Sequence, residues 1–208
     1  MHKLNRSNSF ISNLPQKLGL KGQHVKLEPM RIEHIDELNI AASDGELWTL
    51  KVTSVPQAKD MTAYVNDAIE QRVKGKQLPF IVRKTDDGRL VGTTRFYNIS
   101  PRNRNLSIGY TWYSASVHRS AVNTECKLLL LSHAFEKAGC ISVQWHTHHE
   151  NTKSHQAILR LGASFEGVLR NHQILADGRI RHTHCFSMLD NEWPMSKGFL
   201  KQRLEAHA

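Results

Sequence analysis

One strand–helix–strand unit, set among consecutive strands, most constrains how this chain can fold. Apolar periodicity predicts a strand over residues 106–114, a helix over 123–138 and a strand over 141–148. A helix between two strands returns the chain in the same direction, so these strands are parallel, whereas short turns elsewhere make antiparallel neighbours. The sequence therefore predicts a mixed, mostly antiparallel sheet with one parallel pair, which opens a ligand cleft at the N-terminus of the connecting helix.

The other elements follow from the same periodicities. Alternating polar and apolar residues predict strands, and apolar residues at every third or fourth position predict helices. The turn signals Asp86-Asp87-Gly88 and Asp177-Gly178 indicate two hairpins. The predicted class is α+β. Further strands are predicted at about 24–30, 78–85, 89–100, 165–175 and 180–189, and further helices at about 32–44, 57–74, 151–161 and 195–205.

The chain is predicted to form one domain with two terminal additions. Its 208 residues are enough for a sizeable core. Residues 1–21 are rich in Asn, Ser and Lys and lack sustained periodicity, which predicts an N-terminal extension without an apolar face to bury. Residues 22–193 form the predicted domain, and residues 194–208 a closing helix. We therefore expect the fold to survive removal of the extension.

Composition limits the cellular setting and the partners. Three cysteines without CxxC spacing are typical of a reduced, cytoplasmic protein. No apolar run reaches transmembrane length, and the first residues lack the continuous apolar segment of a secretory signal. Lys and Arg exceed Asp and Glu by 28 − 19 = 9. Because these basic residues are scattered and not interleaved with aromatics, a solvated basic surface is favoured over a nucleic-acid interface.

Two junctions between a loop and a helix are the strongest chemical signals. The segment His118–Glu125 leads directly into the apolar-rich run Cys126–Phe135. A second junction, Asn151–Ser154, opens the helix that Gly162 ends. The first turn of a helix has unbonded N–H groups at the positive end of a dipole, which suits a phosphate-bearing ligand. Since a single strand separates the two junctions, we expect both to face one cleft.

Taken in order, these motifs resemble the GCN5-related N-acetyltransferases, in the branch that includes enzymes acetylating the N-termini of ribosomal proteins. The resemblance covers about residues 22–193 and implies a three-layer fold, with helices on both faces of a seven-stranded sheet and a splayed parallel pair. It also implies acetyl-CoA as co-substrate and a primary amine as acceptor, which attacks directly in a ternary complex. The motifs that carry it are Ile108–Trp112, Val122–Leu130, Asn151–Ser154, Arg160–Ala163, Glu166–Arg170 and Glu192–Trp193.

The loop before the central helix departs from the family's pattern. That pattern is Gln or Arg, two residues, Gly, one residue, then Gly or Ala, where this chain has His118, Ala121 and Asn123. An alanine still presents its N–H if its φ is negative. The alternative is a purely structural helix capped by Asn123 or Thr124. The resemblance implies that acetyl-CoA contacts Tyr110, Trp112, Arg119, Ser120, Ala121, Val122, Asn123, Thr124 and Asn151.

The catalytic residues are less well marked. The resemblance implies Ser154 near the thiol, where its hydroxyl could protonate the departing thiolate. Asn151 and Ser154 are equally well explained as the N-cap and first turn of a structural helix. The glutamate proposed as general base in related enzymes falls on Gln173, which cannot take a proton. Glu166 and His172 are therefore the candidate substitutes, with a water chain as the alternative.

Histidines recur in pairs along two strands. His146 and His148 share one face of their strand, as do His182 and His184. With Cys185 nearby, four imidazoles could ligate a transition metal. A polar strand face that lines a substrate cleft has the same pattern, and we predict no metal.

Other functions stay open at this level. The altered loop and missing glutamate favour a CoA-binding protein without turnover, and the net charge of +9 alone favours a basic module associated with nucleic acid. The acceptor is open among a peptide N-terminus, a polyamine, an amino acid and an aminoglycoside. Without a strong base, α-amines are favoured because their pKa is nearer neutrality than that of lysine. A homodimer is also open, and no membrane partner is expected.

Overall fold

A single mixed sheet organises the molecule. The computed structural model describes residue 10 and residues 13–50, 52–53, 55–175 and 177–206. Its strands are β1 Leu20–Lys21, β2 Val25–Pro29, β3 Leu78–Lys84, β4 Leu90–Ser100, β5 Asn105–Tyr113, β6 Ser142–His148, β7 Ser164–Ile174 and β8 Ile180–Leu189. They lie in the order β1-β2-β3-β4-β5-β6-β8-β7. Among these described strands, β5 and β6 form the one parallel pair. The predicted mixed sheet with one parallel pair is confirmed.

The described sheet has eight strands, so the prediction of seven is wrong. The additional strand, β1, pairs through Leu20 with Leu27 of β2. A two-residue strand is too short for alternation to reveal it. The expectation that residues 1–21 bury no apolar face is wrong for Phe10 and Leu14, which lie in the main core. The proposed division between residues 21 and 22 stays a prediction.

The helices lie close to their predicted positions. The central helix begins at Ala121, two residues earlier than predicted, because Ser120 is its N-cap rather than Asn123 or Thr124. It continues into a π-helical turn at His133–Lys137. The helices are α1 Ile35–Ser43, α2 Ala58–Val73, α3 Ala121–Ser132, α4 Thr152–Leu159 and α5 Trp193–Glu205.

The helices cover both faces of the sheet. On the face called here the α3 face, Cys126 and Leu130 of α3 pack in one core cluster with Trp145 of β6. On the opposite face, the α1 face, Met61 of α2 packs in a second cluster with Ile81 of β3. Helices on both faces are therefore confirmed. None of the described helices combines the length and apolarity needed to span a bilayer.

Candidate active site

The parallel pair is short and opens into a wedge. β5 continues to Tyr113 and β6 to His148, yet in the described chain the two strands pair only near their starts. Beyond that point, the backbone groups of β5 that point towards β6 have no strand partner, so they are available to a ligand. The three paired positions are Asn105 with Ser142, Leu106 with Val143 and Ser107 with Gln144.

A β-bulge in β5 lies beside the wedge. Gly109 and Trp112 pair with β4 residues that are only two positions apart. Tyr110 and Thr111 therefore stand together opposite Thr94. The φ of Tyr110 is 52°, in the left-handed region. The bulge interrupts the ladder at this point and redirects backbone groups of β5.

A buried lysine supports the bulge from the α3 face. Lys127 Nζ donates a hydrogen bond of 2.9 Å to Thr111 Oγ1. The same hydroxyl lies 2.8 Å from Thr94 Oγ1. Burial lowers the pKa of Lys127 to about 8, because an ammonium group is poorly solvated there. The conformation of the bulge is thus tied to a charge held inside the core.

The N-terminus of α3 follows the end of β5, where the wedge is widest. Ser120 Oγ accepts a hydrogen bond from Val122 N at 3.3 Å and donates one to Val117 O at 2.7 Å. The left-handed position of this loop falls on Arg119, whose φ is 63°, while Ala121 already belongs to the helix. The backbone therefore does not require glycine at position 121. The remaining first-turn N–H groups of α3 have no intrahelical partner.

The predicted phosphate-binding residues differ in what they can offer. Arg119 is exposed, and Asn123 and Thr124 are half-buried, so their side chains are accessible. Ala121 and Val122 are buried and can contribute only their backbone N–H groups.

Tyr110 belongs to an aromatic stack on the α1 face. The Cζ of Arg95 lies 4.4 Å from the ring centroids of both Tyr64 and Tyr110. Tyr97 meets Tyr110 edge-on, with centroids 5.3 Å apart. This stack forms an aromatic wall beside the bulge, and Arg95 within it also lies 3.8 Å from the Asp67 carboxylate. Trp112, also predicted to contact the cofactor, is buried in the core, so only its backbone can do so.

The second helix start closes the other side of the wedge. Asn151 caps α4, since its Oδ1 accepts a hydrogen bond of 3.0 Å from Ser154 N. Its Nδ2 donates to Val52 O at 3.3 Å. The capping alternative is thus confirmed for Asn151. Ser154 lies one helical turn before Ile158, which packs in the core of the α3 face, so Ser154 is directed towards that face.

Tyr97 and His146 meet on the α1 face. Tyr97 Oη and His146 Nδ1 are 3.1 Å apart. Burial lowers the pKa of His146, and the neighbouring charges of His172 and Arg181 lower it further. Burial also raises the pKa of Tyr97 to about 12. A neutral imidazole and a neutral phenol therefore face each other at neutral pH.

Glu166 and His172 lie on β7, the outer strand of the sheet. Glu166 Oε1 accepts a hydrogen bond of 2.6 Å from Ser187 Oγ. His172 Nδ1 lies 3.0 Å from Thr183 Oγ1. Both side chains act electrostatically on His146. The two candidate bases are thus gathered on the α1 face, whereas the candidate acid Ser154 is on the α3 face.

The four-imidazole metal set considered from the sequence is not formed. His146 is paired with Cys185 and His184 with Thr147. Since directly opposed residues share a face, the pairs His146/His148 and His182/His184 lie on opposite faces of the sheet.

A different group, His148, His149 and Glu150, has donor atoms within 4.8 Å of one another. Tetrahedral zinc would require donors about 3.4 Å apart. We assign no metal here, and its predicted absence stays a prediction.

The interpretation of the sequence missed several residues of this cleft. Arg95 is the one charge in its apolar strand, and Lys127 together with Glu125 interrupts an apolar helix. These interruptions were the available signal. The contact between Tyr97 and His146 joins residues 49 positions apart and has no local signal.

Comparison with known proteins identifies the family. A family model described as an acetyltransferase (GNAT) domain matches residues 24–164. The chain therefore belongs to the GCN5-related N-acetyltransferase family, and as such it is an acetyl-CoA-dependent N-acetyltransferase. Comparison with curated proteins gives no match.

Solved structures agree with this assignment. A GCN5-related N-acetyltransferase from Brucella melitensis is 30% identical, with a TM-score of 0.83 over 91% of this chain and 86% of that one. A putative acetyltransferase from T. thermophilus is 28% identical, with a TM-score of 0.78 over 89% and 96%. Mycobacterium smegmatis RimJ, solved with CoA-disulfide, is 18% identical, with a TM-score of 0.75 over 90% and 95%, and shows the shared fold.

Proposed function

We propose that acetyl-CoA lies along the wedge, with its pyrophosphate at residues 119–124 and its acetyl group at the bulge. The observation that carries this proposal is the capped N-terminus of α3 beside the unpaired edge of β5. Helix N–H groups and Arg119 suit the pyrophosphate. The free backbone edge of β5 suits the amides of the pantetheine arm. At the bulge, a backbone N–H would polarise the thioester carbonyl.

The proposed acceptor is a primary amine that attacks the thioester directly, and an α-amine such as a peptide N-terminus is preferred. The α1 face carries Arg95 beside the bulge, and Arg181 and His172 close enough to lower the pKa of His146. These positive or ionisable groups disfavour an ammonium ion, and an α-amine is neutral more often than a lysine side chain. Proximity and orientation of the two reactants would supply much of the rate.

Ser154 is proposed to protonate the departing thiolate, and Asn151 to hold the pantetheine arm while it caps α4. The side of the sheet supports this division, because Ser154 faces the α3 side while the candidate bases lie on the α1 side. Cytoplasmic location and a homodimer stay predictions. The three free cysteines are consistent with a reducing compartment.

A panel of amines tests the proposal. Acetyl-CoA is incubated with a peptide bearing a free α-amine, an N-blocked peptide with one lysine, a polyamine, an amino acid and an aminoglycoside. CoA thiol release and product mass are measured. We expect release that depends on the amine, with one acetyl group added to the free α-amine.

A CoA-binding protein without turnover is the second candidate, favoured by Gln173 where a glutamate was expected. Tight CoA binding in calorimetry without amine-dependent thiol release would support it against our proposal.

A further inference from the structure

We infer that His146 is the base that takes the proton of the acceptor amine, and that Tyr97 is the residue that positions it. This inference rests on the proposed acetyl transfer. The sequence motifs did not indicate His146 as the general base, and the predicted candidates were Glu166 and His172.

The position of His146 in the wedge favours this role. His146 lies on β6, two residues beyond Gln144, the last residue of that strand paired with β5. It therefore stands where the wedge has just opened. Glu166 and His172 lie on β7, and β8 separates that strand from β6. Since adjacent strands are about 4.8 Å apart, the backbone of β7 is about 10 Å from that of β6.

The contact between Tyr97 and His146 is made possible by Gly109. Tyr97 extends from β4 across β5, and Gly109 of β5 lies beneath its ring. A Cβ atom at Gly109 would lie 2.7 Å from Tyr97 Cε1, closer than the ring permits. The absence of a side chain at Gly109 thus creates the path by which the Tyr97 hydroxyl comes to 3.1 Å from His146 Nδ1.

The contact with Tyr97 determines which nitrogen of His146 can act as the base. If Nδ1–H donates to the Tyr97 oxygen, the lone pair of His146 lies on Nε2. Thr183 engages Nδ1 of His172 and Ser187 engages Oε1 of Glu166 in a similar way, so the place of His146 at the opening of the wedge is what distinguishes it from these two residues. The groups facing His146 are Tyr97 from β4, His172 and Glu166 from β7, and Arg181 and Cys185 from β8.

The proton balance is simple. Nε2 of His146 takes one proton from the ammonium, and the freed nitrogen lone pair forms the C–N bond to the acetyl carbon. The tetrahedral intermediate breaks its C–S bond, its nitrogen loses a second proton, and the thiolate gains one. The net products are the amide, CoA thiol and one proton released to solvent.

The test uses His146→Gln and Tyr97→Phe, with His172→Gln and Glu166→Gln for comparison. His24→Gln is the matched control, since His24 lies just before β2 at the far end of the sheet. kcat/KM is measured against pH with an aliphatic α-amine and with an arylamine, which is neutral at pH 7. CoA affinity and the melting temperature are measured for each variant.

We expect His146→Gln to lose roughly 100-fold in kcat/KM with the α-amine, the lower end of what a positioned base contributes. The same variant should lose little with the arylamine, which needs no base before attack. Tyr97→Phe should lose less kcat/KM than His146→Gln, because it removes the hydrogen bond that orients the imidazole and keeps the base itself. His24→Gln should match the wild type.

Three outcomes decide the matter. If His146→Gln loses kcat/KM equally with both amines, or loses none, the inference is overturned, although acetyl transfer itself still holds. If His172→Gln or Glu166→Gln instead loses kcat/KM with the α-amine alone, while His146→Gln is unaffected, the base is a residue of β7. If the wild type acetylates no amine, the proposed function itself fails.

Discussion

Replacing Lys127 by methionine tests the energetic cost of a charge buried in the core. Burial lowers the pKa of Lys127 from 10.5 to about 8. That difference corresponds to about 3 kcal/mol of lost stability at neutral pH. The hydrogen bond to Thr111 offsets about 1 kcal/mol of it. Methionine has a similar length and no charge, and the Thr111 hydroxyl keeps Thr94 as a partner. We therefore expect Lys127→Met to be more stable by about 2 kcal/mol at pH 7.

The lowered pKa of Lys127 also predicts how the stability difference changes with pH. Below pH 8 both the folded and the unfolded chain carry the proton on Lys127, and the folded chain bears the full cost of burial. Between pH 8 and 10.5 the folded chain releases the proton while the unfolded chain keeps it. Stability of the wild type relative to the variant therefore rises with pH, and the advantage of Lys127→Met should shrink by about 2 kcal/mol between about pH 7 and 9.5.

Urea unfolding at several pH values, followed by circular dichroism, measures both effects. Lys201→Met, an exposed substitution on α5, is the matched control and should stay within about 0.5 kcal/mol of the wild type. A variant Lys127→Met that is less stable at pH 7, or whose difference from the wild type does not change with pH, would refute the reasoning.

Three further predictions concern the loop, the thiol and the extension. Ala121→Asp adds bulk and negative charge at the N-terminus of α3. It should weaken CoA binding at least 10-fold in calorimetry (about 1.4 kcal/mol). An unchanged affinity would place the pyrophosphate elsewhere. Ser154→Ala should lower kcat by less than about 10-fold, because a thiolate leaves tolerably without an acid, and a loss far beyond this would make Ser154 essential. Phe10→Ala should lower the stability of the folded chain by about 3 kcal/mol, whereas an unchanged melt would support the original view of residues 1–21 as dispensable.

Most strands and helices could be predicted, because the apolar periodicity of a long segment indicates which of its faces is buried. The helix at 57–74 and the hairpin around Asp86-Asp87-Gly88 are examples, and both lie near their predicted bounds. The sequence does not reveal β1, because two residues are too few to show alternation and the strand is defined by its pairing with β2. The cap of α3 was misplaced because Ser120, Asn123 and Thr124 are all good caps, and only the fold decides among them.

The site was harder to predict because its contacts are long-range. The junctions at Ser120 and Asn151 are local, and the sequence located them within a few residues. The register between β6 and β8 placed the histidine pairs on opposite faces, which no single strand pattern could determine. The approach of Tyr97 to His146 needs β4, β5 and β6 side by side, with Gly109 between them.

A crystal structure with acetyl-CoA would show directly where the co-substrate binds. We predict the pyrophosphate within hydrogen-bonding distance of backbone N–H groups in residues 119–124. We also predict the pantetheine arm along the open edge of β5 and the acetyl carbonyl at the Tyr110 bulge, facing His146. Acetyl-CoA bound away from the N-terminus of α3, or with its thioester outside the wedge between β5 and β6, would contradict this prediction.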